Sequence, residues 1–175
     1  MKFNIKRLVA LLLVICSFAL VLTACGEGSS SGGASSKKLT EETIKSELAD
    51  SEGELDGTLT IEDGSPENVK AFTYVVKGIN ASDLLNKTYA KKATNVLLTN
   101  PNNLTYAQLK VCNGISAMMG VVGIFYEDEN FNAEDYIDEI LSIICDGNSK
   151  TYGDWTVSAN VNKSSDSLTI EAVHD

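Results

Sequence analysis

Apolar residues follow three patterns along this chain, and each pattern predicts a different kind of segment. Residues 8–22 are almost continuously apolar, whereas residues 55–62 alternate between apolar and polar side chains. Alternation with a period of two is typical of a half-buried strand. Residues 82–98 carry their apolar side chains at helical spacing, which predicts an amphipathic helix. Its apolar stripe consists of Leu85, Tyr89, Ala93, Val96 and Leu97.

The stretch that follows the first predicted strand, residues 67–77, is ambiguous between helix and strand. Pro66 suits the start of a helix. Residues 72–76, however, are all β-branched or aromatic, and such side chains lose rotamer freedom in a helix but pack well on a sheet. We predict a strand that forms a hairpin with the strand before it, with a helix as the alternative.

Three polar residues, Thr40, Thr105 and Asn132, are placed to cap the starts of helices. Gln108 and Asp135 each follow a cap by three residues, as a reciprocal capping arrangement requires. The caps therefore predict a short helix before the first strand and two longer helices in the second half of the chain.

The helix that starts at Thr105 is apolar on nearly every side between residues 115 and 125. A helix of this kind is usually surrounded by other elements, which places it at the centre of a domain. A second membrane segment is the alternative, but a spanning helix needs about 17 to 25 apolar residues. We therefore expect a buried central helix.

Alternation returns after Gly147, first at residues 155–161 and again at residues 168–172. The polar stretch between these two runs predicts a second hairpin. Strands, then helices, then strands indicate an α+β fold. We predict an antiparallel sheet of about four strands, built from an N-terminal and a C-terminal hairpin, with three central helices packed on one face.

The N-terminus joins a basic start to the first apolar run. Three basic residues precede the run, and Leu22-Thr23-Ala24-Cys25 ends it with small residues before a cysteine. This order is that of an export signal. The segment resembles the type II signal peptide of bacterial lipoproteins, whose lipobox has a leucine, two small residues and a cysteine. The resemblance implies that the Cys25 thiol receives a diacylglycerol, with acyl chains such as palmitate, and that cleavage makes Cys25 the mature N-terminus.

An uncleaved membrane anchor is the alternative to a lipoprotein signal. The apolar run of residues 8–22 is shorter than the roughly 18 to 20 residues needed to span a bilayer. Cys16 is a second candidate for lipidation, but the bulky Ile15 precedes it where the lipobox has a small residue. We therefore expect Cys25 to be the lipid attachment site.

The lipobox divides the chain into three parts: a signal peptide at residues 1–24, a flexible Gly/Ser tether at residues 25–38 and one α+β domain at residues 39–175. The tether lacks large apolar side chains, so burial cannot offset the entropy of ordering it. We expect an extracellular protein on the outer face of the cytoplasmic membrane. Gly26, the residue after Cys25, does not distinguish a host with one membrane from a host with two, and we favour a Gram-positive cell.

The charge of the chain opposes a nucleic-acid partner. The formal net charge is −10, with 14 basic and 24 acidic residues. Removing the signal peptide takes away three basic residues and no acidic one, which leaves a mature chain near −13. Such a surface repels polyanions. Lys87, Lys91 and Lys92 form the nearest basic patch, and a solvated helix face is its simpler interpretation.

Cys112 and Cys145 fall on two helices that the pattern predicts to be antiparallel neighbours. At a rise of 1.5 Å per residue, each cysteine lies about 20 Å along its helix from the connection between the two helices, so both lie at the same height. An extracellular location permits a disulfide between them. Two buried thiols that act as small apolar side chains are the equal alternative.

One acidic stretch has the spacing of oxygen ligands in a calcium loop. Asp128, Asn130, Asn132 and Glu139 occupy positions 1, 3, 5 and 12 of an EF-hand pattern. Ala133 stands where the pattern requires glycine, so a solvated acidic loop is the stronger hypothesis. We assign no metal.

Catalytic groups are scarce in this sequence. His174 is the only histidine and lies one residue from the last position, so a histidine-based catalytic pair is hard to build. We assign no catalytic residue and no cofactor, and we expect a non-enzymatic binding or interaction module of the cell envelope. Its partners are the membrane, through the lipid, and an envelope protein or soluble ligand. A carboxylate-dependent enzyme acting on cell-wall glycan, with two acids across a cleft, is the alternative.

Overall fold

The structure is a computed structural model that describes residues 39–125 and 133–175. Cys25, the predicted signal peptide and the whole of the predicted tether lie outside these residues. The elements in chain order are α1 (Glu41–Glu54), β1 (Gly57–Ser65), β2 (Asn68–Lys77), α2 (Ala81–Leu84), α3 (Lys87–Thr99), a 3₁₀ turn (Pro101–Asn103), α4 (Tyr106–Gly123), α5 (Ala133–Asp146), β3 (Lys150–Tyr152), β4 (Trp155–Asn162) and β5 (Ser167–His174).

The fold is α+β with an antiparallel sheet, as the pattern predicted. In the described parts of the chain the strands lie in the order β1-β2-β5-β4-β3. The ambiguous stretch is a strand, β2, and it pairs with β1 as the expected hairpin. The C-terminal hairpin is β4 with β5, and β5 also pairs with β2, so the two hairpins join at the middle of the sheet.

The predicted count of about four strands is wrong, because Lys150–Tyr152 forms a fifth strand at the edge beside β4. Three residues are too few for alternation to stand out in the sequence. The predicted helix over residues 82–98 is also wrong in detail, since the structure divides this stretch into α2 and α3. The Asn86 side chain accepts a hydrogen bond from the Tyr89 amide and thereby starts α3 as a separate helix.

Local capping residues set two of the helix starts as expected. The Thr40 hydroxyl accepts a hydrogen bond from the Thr43 amide at 3.1 Å. Thr105 and Gln108 form the predicted reciprocal capping box at the start of α4. Asn132 lies outside the described residues, and Gly147, at φ +67°, follows the end of α5 in a left-handed conformation.

The helix α4 lies in the core, as its apolar sequence predicted, and most of its side chains are buried. The Tyr136 hydroxyl of α5 donates to the Met119 carbonyl of α4 at 2.8 Å, which joins the two helices. None of the helices in the described ranges has both the length and the apolarity needed to cross a bilayer.

The two faces of the sheet differ in their side chains. Phe72, Tyr74 and Val76 of β2 are buried on the face toward the helices, in one cluster with residues of α4 and α5. The residues between them, such as Thr73, are half-buried on the other face. An antiparallel sheet with one covered face and one open face produces this alternation.

Candidate functional site

Two of the three lysines in the basic patch that the sequence suggested, Lys87 and Lys91, are paired with acids of α5. The Lys87 ammonium lies 2.6 Å from an Asp146 carboxylate oxygen, and the Lys91 ammonium lies 2.7 Å from Asp138. The hydrogen bond from Lys87 lowers the pKa of Asp146, with a second contribution from Ser142. These pairs join α3 to α5 and neutralise two of the three positive charges of the patch.

A polar groove of the described surface lies between α5 and β3, and we call it the Glu139 groove. It has a volume of about 480 Å³ and is open to solvent. Its lining residues are Glu139, Ser142, Ile143, Asn148, Ser149 and Lys150. The Asn148 amide donates to the Ser142 hydroxyl at 2.8 Å, which holds the loop after α5 against the helix.

Glu139 is the half-buried carboxylate of this groove, and two partners from the β3 strand hold it. The Tyr152 hydroxyl donates to one carboxylate oxygen at 2.5 Å, and the Lys150 ammonium lies 3.1 Å from the other. The sequence analysis missed Lys150 and Tyr152. Their spacing of two residues, which places both on one face of a strand, was the available signal.

Glu139 is also the one member of the predicted calcium set that the structure describes. Its two oxygens face Tyr152 and Lys150, and a nearby ammonium opposes cation binding. Asp128, Asn130 and Asn132 lie outside the described residues. Within residues 39–125 and 133–175, no group of three metal-ligating side chains comes together.

An aromatic cluster lies behind the Glu139 groove and supports it from the core. The Tyr152 ring stacks on Phe125 at a centroid distance of 6.0 Å, and Phe125 in turn lies 5.3 Å from Trp155. His174 contacts the edge of this cluster through Trp155, at 5.2 Å. The only histidine therefore packs against an aromatic ring, and none of the ring contacts gives it a catalytic partner.

Cys112 and Cys145, the pair for which the sequence left a disulfide open, are both free thiols in the structure. Cys112 is buried, and burial raises its pKa to about 12. The Cys145 thiol donates to the Leu84 carbonyl at 3.2 Å. Burial raises the pKa of Cys145 to about 11, the Asp146 charge adds to this shift and Lys87 opposes it.

A second groove, of about 670 Å³, lies where the chain enters the fold. It is lined by the start of α1 and by the turn between β1 and β2, including Glu41, Lys45 and Pro66. Glu41 and Lys45 form an ion pair across one helical turn. The groove is wide and shallow, and its acidic residues are solvated.

Comparison of the chain with protein family models, with characterised proteins and with solved structures gave no match. Function therefore has to be inferred from the chain's own residues and from the geometry above.

Proposed function

We propose that this protein is a lipid-anchored extracellular lipoprotein whose folded part binds a partner in the cell envelope. The observation that carries the proposal is the sequence Leu22-Thr23-Ala24-Cys25 after a basic start and an apolar run. The lipid holds the protein on the outer face of the cytoplasmic membrane, and a Gram-positive cell is the favoured host.

The entry of the chain into the fold is consistent with a tethered domain. The Leu39 carbonyl accepts a hydrogen bond from the Val69 amide at 3.0 Å, and the Glu41 amide donates to the Pro66 carbonyl at 2.9 Å. Both bonds fix the start of the fold beside the β1–β2 turn. A Gly/Ser tether between this point and Cys25 would span roughly 20 Å as a random coil.

Lipidation can be tested by mass spectrometry of the protein isolated from a bacterial host that processes lipoproteins. We expect an N-terminal Cys25 with a diacylglycerol, and we expect Cys25→Ser to abolish both the modification and the cleavage. Cys16→Ser is the matched control, because it changes the other cysteine of the apolar segment and should leave processing unchanged. An intact first methionine, or an unmodified thiol at residue 25, would overturn the proposal.

A non-enzymatic binding role is supported by three acids on α5 that are held by partners from other elements. Asp138 and Asp146 pair with lysines of α3, and Glu139 is held by Tyr152 and Lys150. Carboxylates fixed in this way stabilise contacts between elements. They are not arranged as an acid and a base on the two sides of a cleft.

The glycan-cleaving alternative can be tested at Glu139, a half-buried acid that lies in a groove of the described surface. If the protein cleaved cell-wall glycan through this residue, incubation with purified peptidoglycan would release reducing ends, and Glu139→Gln would stop the release. We expect no release by either protein. Release that depends on Glu139 would replace binding with catalysis as the function.

A further inference from the structure

The strand β4 is covered along only part of its outer edge. All eight of its residues, Trp155–Asn162, pair with β5 on one side. On the other side β3 pairs only with Trp155, Thr156 and Val157. The stretch from Ser158 to Asn162 therefore has no strand beside it in the described part of the chain, and we call it the open edge.

The register of the sheet shows which backbone groups of the open edge point outward. The Asp175 amide donates to the Asp154 carbonyl at 2.9 Å, which makes these two residues a hydrogen-bonded pair. Hydrogen-bonded pairs alternate along an antiparallel ladder, so residues 156, 158, 160 and 162 bond to β5. The N–H and C=O groups of Ala159 and Val161 point away from β5, and no partner for them occurs among the described residues.

The open edge lacks the features that usually protect an exposed strand. Natural edges carry charges, proline or bulges that block pairing with another strand. Ser158–Asn162 has neither a charged residue nor a proline, and Asn160 and Asn162 are solvent-exposed. Such a segment offers two donors and two acceptors to an extended chain.

One end of the open edge is positive, on a chain that is acidic overall. The exposed Lys163 follows Asn162 at this end, whereas Lys150, opposite Val157 at the other end, is paired with Glu139. The whole chain has a net charge of −10. A partner segment with carboxylates beside Lys163 would meet attraction here and repulsion at most other surfaces.

We propose that the open edge of β4 binds an extended peptide segment of a partner protein, uncharged in its middle and acidic at the end that meets Lys163, by strand addition. Backbone hydrogen bonds to Ala159 and Val161 supply affinity, and Lys163 selects the charge of the segment. A test peptide that is acidic at both ends presents a carboxylate to Lys163 in either strand direction. A second copy of this chain is a poorer occupant, because two chains of the same large negative charge repel each other. The inference rests on the proposed binding function and names its surface and its partner class.

The test is a fluorescence-anisotropy titration of the full chain in detergent with two labelled peptides. One peptide is Asp-Asp-Thr-Val-Thr-Val-Asp-Asp, and its twin has lysine in place of each aspartate. The Cys25→Ser protein is titrated in parallel, so that a failure of lipidation and a failure of peptide binding can be told apart. We expect the acidic peptide to bind both proteins equally and its lysine twin to bind at least about tenfold more weakly.

Val161→Pro removes an outward N–H without removing a bond to β5, because Val161 is one of the residues that point away from β5. We expect this substitution to lower the affinity for the acidic peptide about tenfold or more, which corresponds to a loss of roughly 1.4 kcal/mol of binding free energy. Ile61→Pro is the matched control, because Ile61 is also half-buried and β-branched. The Lys77 amide donates to the Asp56 carbonyl, and this register directs the N–H of Ile61 outward at the opposite edge of the sheet. It should leave the affinity unchanged.

Lys163→Glu provides a variant that does not depend on the tolerance of β4 for proline. We expect this substitution to lower the affinity for the acidic peptide and to raise the affinity for its lysine twin. No binding of the acidic peptide, equal binding of both peptides, or full affinity in Val161→Pro would each overturn the inference. Light scattering that shows a dimer lost in Val161→Pro, without peptide binding, would overturn it as well and assign the open edge to a second copy.

Discussion

The Ser116 hydroxyl is a buried polar group whose removal should stabilise the protein. Ser116 lies on α4 with 1% of its surface exposed, and its oxygen has no hydrogen-bond partner among the described residues. Ser116→Ala removes this single atom and leaves the rest of the helix unchanged.

The expected magnitude follows from three contributions. An unpaired buried hydroxyl costs about 1 to 3 kcal/mol in desolvation. Alanine in a helix interior is favoured over serine by about 0.5 kcal/mol. The lost contacts of one oxygen atom oppose these gains by about 1 kcal/mol, because each atom pair contributes only about 0.1 to 0.2 kcal/mol. We therefore expect the free energy of unfolding to rise by about 0.5 to 2.5 kcal/mol.

The assay is urea unfolding of the purified Cys25→Ser protein, followed by far-ultraviolet circular dichroism and by the fluorescence of Trp155. A higher midpoint at an unchanged slope would measure the gain in stability. Thr94→Val is the matched control, because Thr94 is equally buried but its hydroxyl donates to the Ala90 carbonyl at 3.0 Å. It should be less stable by about 0.5 to 1.5 kcal/mol. A Ser116→Ala protein that is no more stable than its parent would refute the reasoning and indicate a partner for the hydroxyl.

Two other predictions concern the thiols and the Glu139 groove. Iodoacetamide at pH 8 should modify Cys145 slowly and Cys112 more slowly still, and urea should accelerate both. Because their pKa values rise from 9.0 to about 11 and 12 on folding, the contribution of the thiols to stability should be constant below pH 9 and fall toward pH 11, since the unfolded thiols lose their protons first. Equal reaction rates in the folded and unfolded protein would contradict this. Tyr152→Phe should lower the free energy of unfolding by about 1 to 3 kcal/mol, since it removes a donor to a carboxylate. Urea midpoints would measure this loss, and an unchanged midpoint would show that solvent replaces the bond at Glu139.

Several features of the fold followed from local sequence alone. Thr105 and Gln108 formed the capping box that their spacing predicted, because a cap involves residues only three positions apart. The strand β2 followed from its β-branched and aromatic residues, and the alternation of β1 gave the hairpin between them. Each of these features depends on side chains that are close in the chain, so the sequence carries the whole signal.

The polar surface depended on contacts between distant residues. Lys87 meets Asp146 across 59 positions, and Lys91 meets Asp138 across 47. No period or motif in the sequence connects such pairs. Two of the three lysines that formed a basic patch in the sequence, Lys87 and Lys91, link α3 to α5 in the structure.

By itself, the sequence determined the α+β class, the helix caps at Thr40 and Thr105, the apolar centre of α4 and the prediction of a lipid at Cys25. The tertiary structure alone decided the pairing of β2 with β5, the short strand β3, the partners of Glu139 and the open edge of β4. The physical reason is the range of the forces involved. Capping and periodicity act within a few residues, whereas strand order and side-chain pairing depend on which elements the packed core brings together.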